Sequence, residues 1–308
     1  MIKKYETFDN KVVLVTGGTG SIGSEIVRQL LTRNPKQIRV YARDEFKHFL
    51  LQQELSNEKK IEYIVGDIRD SSRVQQVVNG CDFIFHTAAM KHISFCENNP
   101  IEAIKTNIIG SQNIFESAIK SKVSNVIAIS TDKAANPTTF MGKTKQIVEG
   151  LFTSQHPGWE NNKTIFSVVR LGNIMNSKGS VVPLWIDQIH KGLDITLTDK
   201  RMTRYLMEVD EAAKLIIEAG LASKGREVFV IRMQDKNIYN LANEVINEYG
   251  NGKKIGIKII GRRYGEKLRE ELLTKEEKSR SIETKNYYII LPNEKLFEER
   301  QNTYEQLS

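Results

Sequence analysis

The chain has 308 residues, 40% of them hydrophobic and 27% charged, with a formal net charge of +7, the composition of a soluble globular protein with room for one large domain and a smaller lobe. Two cysteines, Cys81 and Cys96, exclude a disulfide framework and a structural zinc site, and the five scattered histidines form no metal-ligand spacing, so no metal is expected. No apolar run is long enough to cross a bilayer and the N-terminus lacks a signal core, which points to the cytoplasm with no membrane partner; basic residues interleaved with acids, as in Lys275-Glu276-Glu277-Lys278, argue against a nucleic-acid partner.

Lys11-Val12-Val13-Leu14-Val15 reads as a buried strand. Thr16-Gly17-Gly18-Thr19-Gly20-Ser21-Ile22-Gly23 follows, then an amphipathic helix through Ile26, Val27, Leu30 and Leu31. Strand, glycine turn and helix in that order suit a dinucleotide. Glycines permit a tight turn and close backbone approach, and the helix N-terminus offers N–H groups to a pyrophosphate. Gly17, Gly20 and Gly23 are three apart, unlike G-x-G-x-x-G. The second strand, Gln37-Ile38-Arg39-Val40-Tyr41, ends in Ala42-Arg43-Asp44-Glu45-Phe46-Lys47. An acid there suits the ribose of NAD and an arginine the 2′-phosphate of NADP. Arg43 and Lys47 favour NADP over NAD; Asp44 pulls the other way, and a plain surface role for Arg43 is the alternative.

Ile61-Glu62-Tyr63-Ile64-Val65 is a third strand, and Asp70 beyond it can cap a helix. Asp82-Phe83-Ile84-Phe85-His86 is a fourth, running into Thr87-Ala88-Ala89-Met90-Lys91-His92. Small Ala88 and Ala89 let the backbone approach a cofactor, and His86 reads as a packed strand residue. Pro100 suits the first turn of a long helix bearing Thr106, Asn107 and Gly110.

Val126-Ile127-Ala128-Ile129 is the central strand, ending in Ser130-Thr131-Asp132-Lys133. Met141-Gly142-Lys143-Thr144-Lys145 then enters a helix on which Lys145, Val148, Glu149 and Phe152 share a face. A hydroxyl, a carboxylate and an amine thus emerge at the carboxyl end of a strand, where open α/β sheets bind ligands and such groups can move protons. A Ser/Thr/Asp turn capping a helix is the bland alternative. After Val168-Val169-Arg170 the β/α alternation breaks. The expected architecture is a doubly wound parallel sheet over residues 1–171 with a smaller, mainly substrate-binding lobe over 172–308. Some segments of that lobe return to the core, among them a helix over 207–222. Ile257-Lys258-Ile259-Ile260 is a late strand, and the charged tail over 294–308 has no readable role.

The run Ser130-Thr131-Asp132-Lys133-Ala134-Ala135-Asn136-Pro137, with Met141-Gly142-Lys143-Thr144-Lys145 after it, resembles the active-site segment of the extended short-chain dehydrogenase/reductases. More narrowly it resembles the UDP-N-acetylglucosamine 4,6-dehydratases, over residues 9–290. The glycine turn looks like that superfamily's T-G-x-x-G-x-x-G form. The resemblance implies an NADP site at Thr16, Gly17, Gly20, Ser21, Ile22, Gly23, Arg43, Lys47, Asp67, Ile68, Ala88, Ala89, Ser130 and Lys145. It implies a UDP-sugar site at Lys91, Asn173, Ser180, Val181, Thr198, Thr203, Arg204, Arg263 and Glu266. The last two lie in Gly261-Arg262-Arg263-Tyr264-Gly265-Glu266-Lys267, which is similar to Arg-Pro-Gly-Glu-Lys with Tyr264 for proline; a guanidinium fork suits a diphosphate. Asn107 is implied to be structural, and the family implies a homo-oligomer.

The implied reaction removes water across C5 and C6 of a UDP-sugar, with hydride leaving C4 and returning at C6. Lys133 abstracts H5, Asp132 protonates the departing 6-hydroxyl, Lys145 holds the nicotinamide ribose, and Thr131 belongs to the same catalytic run. Met141 stands where the superfamily's Tyr-x-x-x-Lys has tyrosine. A thioether exchanges no proton, so the O4 proton falls to Asp132, a lysine or a water. Two rivals stand. A UDP-sugar 4-epimerase needs no Asp–Lys pair and usually keeps the tyrosine; a non-catalytic dinucleotide sensor has no use for Asp132, Lys133 and Lys145.

Overall fold

In the computed structural model, residues 8–56, 58–155, 163–175, 177, 179–252, 254–263, 265–304 and 307 are described. The β-branched runs become strands that alternate with amphipathic helices. In chain order these are β1 (Val12–Thr16), α1 (Ser21–Leu31), β2 (Gln37–Ala42), α2 (Glu45–Glu54), β3 (Ile61–Val65), α3 (Ser71–Val78) and β4 (Phe83–His86). Next come α4 (Ile93–Asn98), α5 (Pro100–Ala103), α6 (Gly110–Lys120), β5 (Asn125–Thr131), α7 (Phe140–Thr153) and β6 (Ile165–Leu171). They are followed by β7 (Asn173–Ile174), α8 (Val181–His190), β8 (Ile195–Leu197), β9 (Thr203–Met207), α9 (Val209–Ala222), β10 (Val228–Ile231) and β11 (Gln234–Asn237). The chain closes with α10 (Ile238–Tyr249), β12 (Ile257–Ile259), α11 (Lys275–Ser279), β13 (Ser281–Glu283), β14 (Tyr287–Ile290) and α12 (Glu294–Arg300).

Among the described residues, nine strands form one sheet in the order β13-β14-β10-β6-β5-β4-β1-β2-β3. It is parallel from β10 to β3, and β14 and β13 add an antiparallel edge. The winding reverses between β1 and β4, and an open α/β sheet opens a ligand crevice at that point. Helices cover both faces, which is why β1 and β4 are buried along their whole length. On one face α1 buries Ile26, Val27 and Leu30, and α9 packs beside it through Ala212, Ala213, Ile216 and Ile217. Each large aliphatic side chain so buried contributes about 1.5–3 kcal/mol. On the other face Val74, Ile114, Phe115, Val148 and Phe152 come from α3, α6 and α7.

A second core gathers α8, α10, β8 and their neighbours around Trp185, whose indole N–H donates to the Thr196 carbonyl at 2.7 Å. The small sheets β11-β9-β7 and β12-β8 belong to this region. The later part of the chain also contributes β10, β13, β14 and α9 to the large sheet and its cover.

Two features depart from the sequence reading. The helix opened by Pro100 is not uniform: residues Ile104–Ile109 form a π-helical turn between α5 and α6. The wider turn carries Thr106 and Asn107 on its buried side. Asn107 accepts from the Met90 N–H at 2.7 Å and donates to the Met90 carbonyl and to Thr144 Oγ1, both at 3.0 Å, a structural clamp on the strand end after β4. The charged tail also has a place. Tyr304 is 1% exposed, and its hydroxyl donates to Glu227 at 2.6 Å, with Arg300 adding a second contact at 2.8 Å. Among the described residues no helix is long and apolar enough to cross a membrane, and no group of three or more His, Cys, Asp or Glu side chains is placed to hold a metal ion.

Candidate active site

The glycine turn fits a dinucleotide on its own geometry. Gly17 has φ +66°, and a Cβ there would lie 2.8 Å from the Ala88 Cα and N, so the turn after β1 can meet the end of β4 only without a side chain. Gly20 is the N-cap of α1 and no side chain caps that first turn, an end suited to an anion. Ser21, Ile22 and Gly23 open α1, Ala88 lies against Gly17, and Ala89 follows Ala88 beyond β4. Ser130 Oγ, at the end of β5, is buried with no partner among the described residues, a group available to a bound ligand.

The Thr16 hydroxyl is already used. It lies 2.7 Å from His86 Nδ1, whose Nε2 is 2.9 Å from Ser111 Oγ. Burial, reinforced by Lys145, pushes His86 down to about 3, so it stays a neutral packed residue. Thr16 therefore joins β1 to β4. Asp44 is committed too. It caps α2 by accepting from the Lys47 N–H at 3.0 Å, and its carboxylate, held below the usual range by the Lys47 side chain, sits 2.7 Å from Lys47 Nζ. Arg43 stands 3.6 Å from Asp67, with about half its side chain in solvent. Ile68 is buried beside Asp67, and Asp70 caps α3.

At the end of β5, Thr131 caps a single 3₁₀ turn of Asp132–Ala134. Thr131 Oγ1 donates to Asp132 Oδ1 at 2.8 Å, and Lys133 Nζ donates to the same oxygen at 2.9 Å and to Asn173 Oδ1 at 3.4 Å. Asp132 is 0% exposed and its Oδ2 is buried without a partner among the described residues. One carboxylate oxygen thus holds the amine, and the other is a buried acceptor with no partner among the described residues. Lys145, on α7, donates to the Ile129 carbonyl at 2.8 Å. Burial lowers it to about 8, with Glu149 and Cys96 acting in the opposite direction. Met141 is 3% exposed and packs with Cys96 and Ala103, flanked by Met90, Ile93 and Phe140. The superfamily's tyrosine position is here a piece of apolar core.

Gly142 explains how α7 reaches this turn. Its N–H donates to the Thr139 cap at 3.1 Å, and a Cβ on it would collide with the Lys133 carbonyl. Gly142→Ala must displace either α7 or the Asp132–Lys133 turn. It is expected to lower turnover on the order of 10²-fold, the usual effect of an ångström of misplacement, with circular dichroism showing a folded protein. Unchanged turnover would mean that the position of the turn is not critical.

The residues expected at the sugar nucleotide are only partly brought together. Asn173 meets Lys133. Ser180 precedes α8 with its hydroxyl buried and unpartnered among the described residues, and Val181 opens that helix. Lys91 is lowered by burial. The Thr203 hydroxyl is likewise buried without a partner, whereas Thr198 Oγ1 contacts Met202 Sδ at 3.4 Å. Arg204 and Glu266 pair with each other at 3.3 Å, and Arg204 also donates to the Thr203 and Leu268 carbonyls at 2.7 and 3.3 Å. Arg204 is buried and Glu266 partly so. Arg263 is exposed, its N–H donating to Glu266 at 3.1 Å. Tyr264 and Lys178 lie outside the described residues.

Two charged residues escaped the sequence reading. Arg170 on β6 is 1% exposed and donates to Glu149 at 2.6 and 2.9 Å, to Glu277 at 2.7 and 3.0 Å and to the Leu272 carbonyl at 2.9 Å. An arginine closing a β-branched run was the available signal, because a charge in a buried strand needs partners. Glu270 is 5% exposed, and burial pushes its carboxyl up, with Lys133 acting in the opposite direction; nothing in its local sequence marks it.

A doubly wound sheet, a glycine turn at its switch point and a lysine on the helix after the Ser130–Lys133 strand end define an extended short-chain dehydrogenase/reductase. Residues 13–292 match the model of a family described as polysaccharide biosynthesis protein, and the chain belongs to that family. It is 47% identical over 290 residues to an uncharacterized membrane protein of Methanocaldococcus jannaschii, covering 92% of this chain and 87% of that one. It is 37% identical to a UDP-N-acetylglucosamine 4,6-dehydratase (inverting) of Campylobacter jejuni, over 95% of this chain and 86% of the other. A UDP-glucose 4-epimerase of Rickettsia canadensis is 36% identical, over 92% and 83%. Among solved structures, Pen from Bacillus thuringiensis is similar with a TM-score of 0.90 and 42% identity, over 92% of this chain and 89% of that one.

Proposed function

We propose that the chain removes water across C5 and C6 of a UDP-sugar, UDP-N-acetylglucosamine, yielding a 4-keto-6-deoxy sugar nucleotide, with NADP as its resident cofactor. The observation that carries this reading is the 2.9 Å contact between Lys133 Nζ and Asp132 at the carboxyl end of β5. Oxidation and reduction at C4 alone need no such acid–base pair, whereas dehydration needs both a base for H5 and an acid for the 6-hydroxyl. A dinucleotide bound at the glycine turn supplies the hydride acceptor and donor. Around it, Ser130 and Lys145 would hold the nicotinamide ribose, and Arg43 and Lys47 would hold the 2′-phosphate. Passage of one proton from Lys133 to Asp132 arms both groups at once, an amine to take H5 and an acid to release water. Met141 takes no part in proton transfer, which leaves the O4 proton to Asp132, a lysine or a water.

Incubation of the pure protein with UDP-N-acetylglucosamine, followed by mass spectrometry, tests the reading. Loss of water supports it, and NMR at C5 then reports inversion or retention. The second reading, a UDP-sugar 4-epimerase, is favoured by the Rickettsia relative, and product of unchanged mass with inverted C4 would establish it. The cofactor assignment has its own test. Arg43→Ala is expected to weaken NADP(H) binding by about 1.5–3 kcal/mol, as a charge-assisted contact is lost, while NAD(H) affinity holds. Calorimetry on cofactor-stripped protein measures both, and an equal loss for the two would remove Arg43 from the 2′-phosphate.

A further inference from the structure

β5 and β6 run in parallel register up to Thr131 and Leu171. Beyond that point the two segments part. The first closes the 3₁₀ turn of Asp132–Ala134, and the second leaves the large sheet for the small one, where Asn173 pairs with Leu206 of β9. The Met175 N–H donates to the Met207 carbonyl at 2.9 Å and continues that pairing. Lys133 is thus the second residue past β5 and Asn173 the second past β6. Their side chains meet, with Lys133 Nζ 3.4 Å from Asn173 Oδ1.

A lysine amine sits on a flexible four-carbon stem, so a single acceptor leaves it free to swing about that contact. Asp132, its neighbour in the chain, supplies one acceptor at 2.9 Å. Asn173 supplies the other from a different element, fixed by the β11-β9-β7 sheet. An ammonium only donates, so the amide must turn its oxygen toward it. Two acceptors on separate elements set the direction of the amine, while 16% of the Lys133 side chain stays in solvent. The charged groups about this turn are Asp132 itself and Glu270, with Arg204 and Lys267 acting on Glu270 as well. Asn173 is neutral, so a charge added at its position can be read against them.

We propose that Asn173 is a positioning residue for Lys133: its amide oxygen aims the amine, and its place at the start of β7 ties the small sheet to the reactive turn. This goes beyond the sugar contact that the resemblance implies for Asn173. The catalytic meaning rests on the reading of Lys133 as the base for H5, but the contact itself does not.

Two variants of the full chain test it. Asn173→Asp keeps the shape and the acceptor and adds a negative charge, which favours the ammonium over the free amine. Lys133 is labelled competitively with acetic anhydride across a pH series, without a sugar, and the extent at that residue is followed by mass spectrometry. The labelling midpoint should rise by roughly one pH unit, or about tenfold slower labelling at a fixed pH below it, the usual influence of one nearby charge. An unmoved midpoint overturns the proposal. Asn173→Leu removes the acceptor. With a UDP-sugar as substrate it should lower kcat on the order of 10²-fold, the usual effect of a misplaced group, with a smaller change in KM. Asn173→Asp should recover much of that kcat above its raised midpoint, a rescue that a residue holding only the fold or the sugar would not give. A raised KM with kcat intact in Asn173→Leu also overturns the proposal, because Asn173 would then serve the sugar alone. Failure to dehydrate any UDP-sugar would sink the functional reading, and the labelling midpoint alone would then decide whether Asn173 holds the amine.

Discussion

Lys133→Ala is expected to lower turnover by ~10²–10⁴-fold, the usual contribution of a positioned acid or base, with dinucleotide affinity unchanged. The amine is one of two donors to Asp132 Oδ1, the other being Thr131 Oγ1. Removing it leaves a fully buried carboxylate with a single hydroxyl partner. Breaking a wholly buried pair costs about 3–5 kcal/mol; Lys133 keeps 16% of its side chain in solvent, so the loss here should fall below that range. Asp132→Asn keeps the shape and removes the acid, and should match the loss of turnover at smaller cost to the fold. Met141→Ala separates packing from chemistry. It empties a buried position and should destabilise by about 2–5 kcal/mol, while turnover at a temperature where the variant is folded stays near that of the parent. Solvent deuterium entering C5 of the substrate gives an independent reading, because exchange should vanish with Lys133. Near-normal turnover in Lys133→Ala beside abolished turnover in Met141→Ala would reverse the roles assigned to these residues.

Arg170→Leu should have the largest effect on stability, a loss of about 3–5 kcal/mol in denaturant unfolding. The guanidinium is buried in the sheet between Glu149 of α7 and Glu277 of α11, at 2.6 and 2.7 Å. Burial opposes its charge, and the two carboxylates more than offset that, so it is held charged more firmly than a free arginine. Taking it away leaves two acids in a low-dielectric setting, with the Leu272 carbonyl also losing its donor. The loss comes from the orphaned acids. Arg170→Leu combined with Glu149→Leu and Glu277→Leu should therefore recover most of it, since a buried ionic cluster and a well-packed apolar one often differ little. A single variant as stable as the parent would show that the acids simply take up protons.

What local pattern can carry, the amino-acid order carried. Val12–Thr16 and Asn125–Thr131 are strands because branched apolar residues suit a pleated, two-sided burial. The glycine turn after β1, the cap at Asp70 and the helix face through Val148 and Phe152 are likewise decided by neighbours a few positions apart. So were the residue types of the reactive turn, since Thr131, Asp132 and Lys133 are adjacent in the chain. Partnerships across the chain were decided only by tertiary structure. Arg204 and Glu266 are 62 positions apart, Arg170 and Glu277 107, and Glu227 and Tyr304 77. Nothing in the residues beside them in the chain names these partners. Sheet order brings β6 under the 272–277 segment and lays 265–272 along the turn after β5. In that burial a lone charge is too costly, so partners are selected by position in space rather than in sequence. The same reason hid the buried Glu270 and the pairing of Arg204 with Glu266.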